Sequence, residues 1–308
     1  MILSAGLTPA WQQILVFDRV RWGEVNRALE AVWCGSGKVL NVGMAVHRLG
    51  GPSLTLAPLG GSPHKEIDRE FADLGAPRRW IETRAATRVC TTFIERDTGQ
   101  ITELVENGRI LDERELNAFR TVYAEEAARA EVVVLTGSLP SGTPVSLYRD
   151  LVVCTHCPMV LDFRGEGLLS VLDLKPYVVK PNRQELGQTL GRSLESDADL
   201  MAAMRRLNRL GAQWVVVTQG AQAVWVSSSD DAYRLMPPRI ADIVNSIGCG
   251  DSLAAGIAWA TRRGDSIIDA VRLGIGAACD NLGKLLPCRL KWEKVVDLAS
   301  KVVVDEIT

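Results

Sequence analysis

The sequence predicts an α/β protein: a parallel β-sheet covered by helices, with a smaller β-sheet beside it. From about residue 130, short β-branched runs alternate with helical segments, which is typical of βαβ units. At 308 residues, with 47% hydrophobic and 23% charged residues, the chain can bury a large core. Two earlier segments, 14–32 and 89–106, read as strand-like pieces with turns, so they predict the smaller sheet.

The individual elements follow from apolar periodicity and from turn residues. Strands are predicted at 132–135, 159–162, 177–179 and 214–218. Helices are predicted at 39–49, 65–74, 113–128, 144–153, 198–210, 252–263, 267–282 and 291–304. Within the second strand-like segment, the turn residues Asp97-Thr-Gly99 lie between apolar residues and predict a β-hairpin.

Composition and charge disfavour several classes of protein. A net charge of −2 gives no reason to expect nucleic acid or a membrane surface as a partner. The longest apolar run, 253–260, is far shorter than a membrane helix, and residues 1–10 lack the features of a signal peptide. Seven scattered cysteines predict free thiols and a cytoplasmic location, and the lone Cys154/Cys157 pair does not predict a zinc site.

The stretch CGSGKVLN, residues 34–41, first suggests a phosphate-binding P-loop. That motif requires a glycine five residues before Gly37 and a Ser or Thr after Lys38. Val32 and Val39 occupy those two positions, so the motif fails at both ends. The glycines instead predict a turn that leads into the helix at 39–49.

The stretch VNSIGCGDSLAAG, residues 244–256, combines flexible glycines with an acidic residue at the start of a buried helix. The unpaired N–H groups and the dipole at such a helix N-terminus can bind an anion. Asp251 beside that anion would be placed to act as a general base for a hydroxyl that attacks phosphate. The plainer alternative is that Asp251 is a helix N-cap residue beside ordinary turn glycines.

Three further polar loops follow predicted strands, at the edge where open α/β sheets bind ligands. They are TGSLPSG (136–142), VKPNRQEL (179–186) and TQG (218–220). In the second loop, Asn182 and Glu185 are three residues apart, and their oxygens suit Mg²⁺ bound through water. The four loops are therefore expected to converge on one crevice.

Together these stretches resemble the PfkB branch of the ribokinase-like carbohydrate kinases, especially 1-phosphofructokinases and tagatose-6-phosphate kinases. The resemblance runs nearly end to end and in order. It rests on GEVNRA (23–28), GSGKVLN (35–41), HRLGG (47–51), TR (87–88), ITELVENG (101–108), GSLPSG (137–142), LDFRGEGL (161–168), KPNRQEL (180–186) and NSIGCGDS (245–252).

The resemblance implies a ribokinase-like, Rossmann-type core in a single domain spanning 1–308. Two insertions, at about 11–33 and 88–108, would form a β-sheet lid, through which a homodimer is expected. It implies ATP and Mg²⁺ as cofactors, and a sugar phosphate as the second substrate. The GSGKVLN loop would then face the sugar and not ATP.

The resemblance also implies roles for individual residues. Asp251 would be the general base, and the backbone of Gly248, Cys249 and Gly250 would form the anion hole. The residues implied on the nucleotide and metal side are Lys180, Asn182, Glu185, Thr218, Gly220, Ser246 and Asn281. The residues implied on the sugar side are Gln12, Lys38, Asn41, Arg88 and Ser138, with Arg27 reaching across the dimer.

Two departures from the family pattern lie on the sugar side. Gln12 stands where the family has an Asp that binds sugar hydroxyls, and Val39 stands where it has a glycine. The expected activity is ATP-dependent phosphorylation of a ketohexose phosphate, such as fructose 1-phosphate, fructose 6-phosphate or tagatose 6-phosphate. The alternatives are a catalytically idle sugar-phosphate-binding relative, and a kinase for an unphosphorylated sugar or a nucleoside.

Overall fold

The structure, a computed structural model, describes residues 1–307. The strands are β1 (Ile2–Ala5), β2 (Ala10–Phe17), β3 (Glu30–Ser36), β4 (Ser53–Gly60), β5 (Arg78–Thr83), β6 (Arg88–Glu95), β7 (Ile101–Val105), β8 (Val132–Thr136), β9 (Met159–Asp162), β10 (Val178–Val179), β11 (Trp214–Val217), β12 (Val224–Ser227), β13 (Ala232–Met236) and β14 (Val303–Glu306). The helices are α1 (Lys38–Arg48), α2 (Gly61–Asp73), α3 (Glu113–Ala127), α4 (Ser146–Val153), α5 (Glu166–Leu169), α6 (Arg183–Leu190), α7 (Asp197–Leu210), α8 (Cys249–Arg262), α9 (Ile267–Leu282) and α10 (Trp292–Ser300).

The main sheet has ten strands in the order β14-β13-β12-β11-β10-β9-β8-β1-β4-β5. From β5 to β11 neighbouring strands are parallel, and β12, β13 and β14 extend one edge in antiparallel fashion. At its centre, residues 2–5 of β1 pair with 132–135 of β8. These strands are continuous apolar runs because helices cover both of their faces.

Alternation along a strand divides the core into two layers. In β8, Val132 and Val134 pack with α1, α8, α9 and α10 on one face of the sheet. Val133 and Leu135 pack with α3, α4 and α7 on the other face. The predicted α/β class, with a parallel sheet between two helical layers, is confirmed.

The smaller sheet has the strand order β3-β2-β6-β7. Strands β2 and β6 are parallel, whereas the β2–β3 and β6–β7 pairs are antiparallel. Gly99 lies in the turn between β6 and β7 at a φ of 67°, a backbone conformation that favours glycine. The inner face of this sheet contributes Ile14, Val16 and Ile94, which pack in a small cluster with Leu285 and Leu286.

The sequence placed most of the helices and core strands correctly but was wrong at the C-terminal end. The predicted helix at 291–304 ends at Ser300, and Val303–Glu306 forms β14 along the edge of β13. The β-branched run Val302-Val303-Val304 favours a strand once an open sheet edge is available. Strands β1, β4, β5, β12 and β13 were not predicted.

The seven cysteines are all free thiols, as the sequence predicted. Over residues 1–307, none of the helices combines the length and the apolar composition that crossing a membrane requires.

Candidate functional site

The loop before α1 brings Lys38 and Asn41 to the carboxyl edge of the main sheet. Gly37, immediately before the helix, has a φ of 84°, and a Cβ there would lie 2.7 Å from the Thr8 carbonyl oxygen. Only glycine fits this turn, because a side chain would be strained and would also clash. The glycine therefore serves close backbone packing, and Lys38 begins the helix directly above the sheet edge.

Asp162 ends β9 and is buried between two lysines. Its Oδ1 accepts a hydrogen bond of 2.8 Å from Lys38 Nζ, and its Oδ2 lies 3.3 Å from Lys180 Nζ. Asp162 and Lys180 are 1% and 4% exposed. A charge so far from water must be paired, so these three side chains fix one another's positions.

The charges in this cluster shift one another's pKa values. Burial acts to raise the pKa of Asp162, but Lys180 and Lys38 outweigh it, so that pKa is lowered and the carboxylate stays ionised. Burial acts to lower the pKa of Lys38, but Asp162 and Glu185 outweigh it, so that pKa is raised. Lys38 and Asp162 therefore stay charged, as a cation and an anion, at the sheet edge.

Asp251 lies in the first turn of α8 and is buried. Its Oδ2 accepts a hydrogen bond of 2.7 Å from Asn41 Nδ2. Burial raises the pKa of Asp251 to about 6, and the charge of Asp162 adds to that effect. Lys38 and the Asn41 hydrogen bond act in the opposite direction. A carboxylate with this pKa can take a proton near neutral pH, as a general base must.

The loop before α8 exposes backbone donors. Gly248 has a φ of 82°, and a Cβ there would lie 2.9 Å from Pro287, so only glycine fits. Over residues 1–307, the N–H groups of Gly248 and Gly250 have no hydrogen-bond partner. The N–H of Cys249, predicted as a third donor, instead points to the Ser246 carbonyl oxygen at 3.3 Å. Of the three predicted anion-hole donors, the N–H groups of Gly248 and Gly250 are therefore free within the described part of the chain.

Asn281 occupies a different place from the predicted contact with ATP. Its side chain is fully buried, and its Nδ2 donates to the Ile247 carbonyl oxygen at 2.8 Å. Its Oδ1 accepts the N–H of Cys288 at 2.6 Å. Because these bonds commit both ends of the amide, Asn281 supports the loop from behind. Ser246, predicted on the nucleotide side, has an exposed position on the loop.

Asn182 and Glu185 form a capping box at the start of α6. Asn182 Oδ1 accepts the Glu185 N–H at 2.8 Å, and Glu185 Oε2 accepts the Asn182 N–H at 2.9 Å. The other oxygen of Glu185, Oε1, lies 3.6 Å from Lys38 Nζ. The pair therefore shapes the helix start and still directs one carboxylate oxygen toward the charged cluster.

The residues present fit a hydrated metal ion better than a directly coordinated one. Among the described residues, no group of three or more His, Cys, Asp or Glu side chains could hold a metal. Mg²⁺ usually keeps several waters and binds one or two carboxylates together with substrate phosphates. The Oε1 atom of Glu185 could accept from such a water, while Lys38 and Lys180 would balance the phosphates.

A cleft of about 830 Å³ opens beside the start of α6 and the end of β11. Three predicted nucleotide residues line it: Asn182, Thr218 and Gly220. Asn182 and Thr218 are held together by a parallel β-bridge, and Gly220 turns the chain at a φ of 56°. Asp251 does not line this cleft. The cleft and the charged cluster of Lys38, Asp162 and Lys180 are therefore separate, neighbouring parts of the sheet edge.

Arg88, at the start of β6, holds three backbone carbonyl groups. Its guanidinium donates to the carbonyl oxygens of Thr8 at 3.0 Å, Pro9 at 3.3 Å and Glu106 at 2.9 Å. An arginine side chain has five N–H donors, so two remain available for a ligand. Ser138 is exposed in the loop after β8, and its carbonyl oxygen accepts from the Thr8 hydroxyl.

The two departures on the sugar side have different structural contexts. Val39 is buried, and its side chain packs in the main core. Gln12 is 1% exposed, and its Nε2 donates to Thr92 Oγ1 at 2.8 Å and to the Gln13 carbonyl oxygen at 3.2 Å. These bonds occupy both N–H groups of the amide, which leaves Oε1 as a neutral acceptor.

Arg27 lies in the exposed connection between β2 and β3. Over the described residues it makes no ion pair and no side-chain hydrogen bond, and nothing within this chain joins it to the charged cluster.

Sequence reasoning missed Asp162, Thr92 and Asn245 as site residues. Asp162 lies within the quoted LDFRGEGL stretch, and a lone Asp at the end of an apolar strand could have identified it. Asn245 lies within the quoted NSIGCGDS stretch, and its Oδ1 accepts the Ile247 N–H two residues on at 3.0 Å. Thr92 carries no local signal, because its partner Gln12 is distant in the sequence.

Comparison with known proteins gives a family match over most of the chain. The model of the pfkB family of carbohydrate kinases matches residues 16–287.

Solved structures with similar folds include a phosphofructokinase and a possible 1-phosphofructokinase. Escherichia coli phosphofructokinase-2, solved in complex with substrates and products, is 24% identical, with 97% of each chain covered and a TM-score of 0.87. A Thermotoga maritima protein described as a possible 1-phosphofructokinase is 19% identical, with 100% of this chain and 99% of that chain covered and a TM-score of 0.89. At these identities the similarity demonstrates a shared fold.

Replacing Asp162 with alanine should lower the free energy of unfolding strongly. The substitution leaves Lys180 buried without a partner, and breaking a buried ion pair costs about 3–5 kcal/mol. Asp173→Ala is the matched control, because Asp173 pairs with Arg149 on the surface, where water screens an ion pair and its contribution to stability is small. Urea denaturation measures both variants, and equal losses would contradict the role given to Asp162.

Proposed function

Because the chain belongs to the pfkB family of carbohydrate kinases, we propose that it transfers the terminal phosphoryl group of ATP to a hydroxyl of a ketohexose phosphate. The observation that carries this proposal is the buried Asp251 carboxylate, beside the unpaired N–H groups of Gly248 and Gly250. Lys38 and Lys180 add positive charge at the same sheet edge. A base, an anion site and cations are the parts that phosphoryl transfer requires.

In the proposed reaction, Asp251 accepts the proton of the attacking hydroxyl. The hydroxyl oxygen forms a bond to the terminal phosphorus of ATP, and the bond from that phosphorus to the bridging oxygen breaks to release ADP. Asn41 orients the Asp251 carboxylate through its 2.7 Å hydrogen bond. The N–H groups of Gly248 and Gly250 stabilise the charge on the transferred group.

The nucleotide phosphates would lie near Lys180, Asn182 and Thr218, with Gly220 allowing close approach of the backbone. When bound, Mg²⁺ neutralises phosphate charge, and Glu185 with Asn182 would hold it through water. Lys180 lies beside the anion-binding loop, since its Nζ is 3.5 Å from the position that a Cβ on Gly250 would occupy. Its charge is therefore close to the place proposed for the nucleotide phosphates.

The proposal of a phosphorylated acceptor rests on Arg88, whose free N–H groups can bind phosphate beside Ser138. An idle sugar-phosphate-binding protein remains the second candidate, favoured by Gln12 in place of the family's Asp. A kinase for an unphosphorylated sugar or a nucleoside is the third, and an acceptor screen that measures ATP consumption separates all three.

Asp251→Asn should reduce kcat at least ~100-fold with little change in ATP binding, because general-base help contributes about 10²–10⁴ in rate. In the wild type, kcat/KM should rise with pH through an inflection near the Asp251 pKa of about 6, since the base works only when deprotonated. Steady-state kinetics between about pH 5 and 8, roughly one unit below that inflection to two units above it, measures both effects.

A phosphosugar also titrates near pH 6, because the second pKa of a phosphate monoester is about 6. The residual activity of Asp251→Asn supplies the control for this overlap. An inflection that persists unchanged in the variant belongs to the substrate, and near-normal turnover in a folded variant would rule out Asp251 as the base.

Arg88→Ala should raise KM for a phosphosugar by about 10–100-fold, as expected for losing a charged hydrogen bond, and should change KM for ATP much less. Because Arg88 also holds Thr8, Pro9 and Glu106, the same variant must be assayed with the unphosphorylated sugar. An equal rise in both KM values would show that Arg88 acts only as a structural clamp.

The proposed assembly is a homodimer through the small sheet, which would act as a lid over the site. Trp22 and Val25, in the β2–β3 connection, are 77% and 83% exposed, and Trp33, Leu104 and Val105 are also exposed. Apolar groups concentrated in this way mark interaction surfaces. Of the related E. coli protein, a tetrameric inhibited form has been solved, at 23% identity, with 97% of this chain and 98% of that chain covered and a TM-score of 0.87.

Light scattering should give twice the 33.6 kDa mass of one chain, and Val25→Asp should reduce that mass to one chain. Val153→Asp is the matched control, because Val153 is an exposed apolar residue at the end of α4, outside the small sheet. A wild-type mass of one chain at every micromolar concentration would overturn the dimer.

A further inference from the structure

The segment between α9 and α10, residues 283–291, is here called the connector. It contacts the loop that precedes α8. Asn245 Nδ2 donates to the Leu285 carbonyl oxygen at 2.8 Å, and the Cys288 N–H donates to Asn281, which in turn holds Ile247. Moving the connector would therefore move the loop whose N–H groups form the anion site.

The connector also contacts the small sheet. Leu285 and Leu286 pack against Ile14, Val16 and Ile94 on the inner face of that sheet. One short segment thus touches the anion-binding loop through hydrogen bonds and the small sheet through apolar packing.

A second, polar contact joins the connector to β3 through Glu70 of α2. One carboxylate oxygen of Glu70 accepts the N–H of Gly35, and the other pairs with the Arg289 guanidinium. The Glu70 and Arg289 side chains are 19% and 15% exposed. Gly35 permits the close approach, because a Cβ there would lie 3.2 Å from the carboxylate.

Gly35 immediately precedes the residues that lead to Asp251. The Ser36 hydroxyl donates to Asn41 Oδ1 at 3.2 Å, and Asn41 donates to Asp251. Lys38, two residues after Ser36 in the chain, pairs with Asp162. The position of the Gly35 N–H therefore influences both the base and the charged cluster.

We propose that Glu70 and Arg289 are positioning residues, which hold β3 and the connector in register so that the Ser36–Asn41–Asp251 chain and the anion-binding loop form together. This inference rests on the proposed kinase function. Neither residue needs to touch a substrate. The two oxygens of the Glu70 carboxylate have separate tasks. One holds β3 at Gly35, and the other holds the connector at Arg289.

Four variants test these tasks. Glu70→Gln keeps an acceptor for Gly35 but loses the ion pair, whereas Glu70→Ala loses both contacts. Arg289→Met removes the charge on the connector together with the guanidinium hydrogen bonds to Glu70 and to the Pro287 carbonyl oxygen. The double variant Glu70→Ala/Arg289→Met tests coupling. Asp68→Ala is the matched control, since Asp68 lies on the same helix and pairs with Arg78 at 2.6 Å, away from the connector.

Activity is measured as kcat and as KM for each substrate. Glu70→Ala should lower kcat at least ~10-fold, because misplacing reacting groups by about 1 Å can cost ~100-fold. KM for ATP should change less than about twofold, as binding groups on the nucleotide side remain in place. Glu70→Gln should be milder, and the double variant should be no worse than Glu70→Ala, since coupled contacts are not additive.

Hydrogen–deuterium exchange supplies a readout that does not depend on activity. Arg289→Met should speed exchange both in β3 around Gly35 and in residues 245–252, although the guanidinium hydrogen bonds within residues 1–307 go to Glu70 and Pro287 and not to either segment. If the Glu70–Arg289 pair only stabilised the surface, its loss should lower the melting temperature, as Asp68→Ala should. The value of kcat and the exchange in these two segments would then stay unchanged. That result, or additive effects in the double variant, would overturn the proposal.

Failure of the proposed function has a different signature. A wild type without phosphoryl transfer to any acceptor would refute the kinase function, while exchange in β3 and in residues 245–252 would still decide whether Glu70 and Arg289 couple them.

Discussion

Asp162 lies at the carboxyl end of β9, away from water, with Lys38 on one side and Lys180 on the other. Without that carboxylate, two cations would be held close together in a poorly solvated place with no partner of opposite charge. With it, each lysine has an ion-pair partner that fixes its position at the sheet edge. The electrostatic environment of Asp251 also depends on Asp162, because its negative charge helps to raise the Asp251 pKa.

Two helices begin at this site, and in each case a glycine sets the start. Gly37 precedes α1 and Gly248 precedes α8, and both have positive φ with no room for a side chain. The helices also pack against one another, so their N-termini share one side of the sheet edge. The result is a concentration of backbone N–H groups and positive dipole ends where a phosphate would carry charge.

Much of this could be predicted from the sequence because the relevant signals are local. Apolar periodicity located α9 at its observed bounds, and the β-branched runs located β8, β9 and β11. Asn182 and Glu185 are three residues apart, within one helical turn, so the sequence shows that they lie close together. The capping box that they form was seen only in the structure. The strand-like segments also predicted a second sheet, since their alternation required a separate apolar face.

Tertiary structure decided what depends on contacts between distant residues. The pairing of Gln12 with Thr92 spans 80 residues, and the bond between Asn41 and Asp251 spans 210. The sequence by itself determined most of the helices, several core strands and the motifs that end those strands, because propensity and periodicity act over a few residues. Only packing decided that Val39 faces the core and that Asn281 lies behind its loop, because burial depends on which distant surfaces meet.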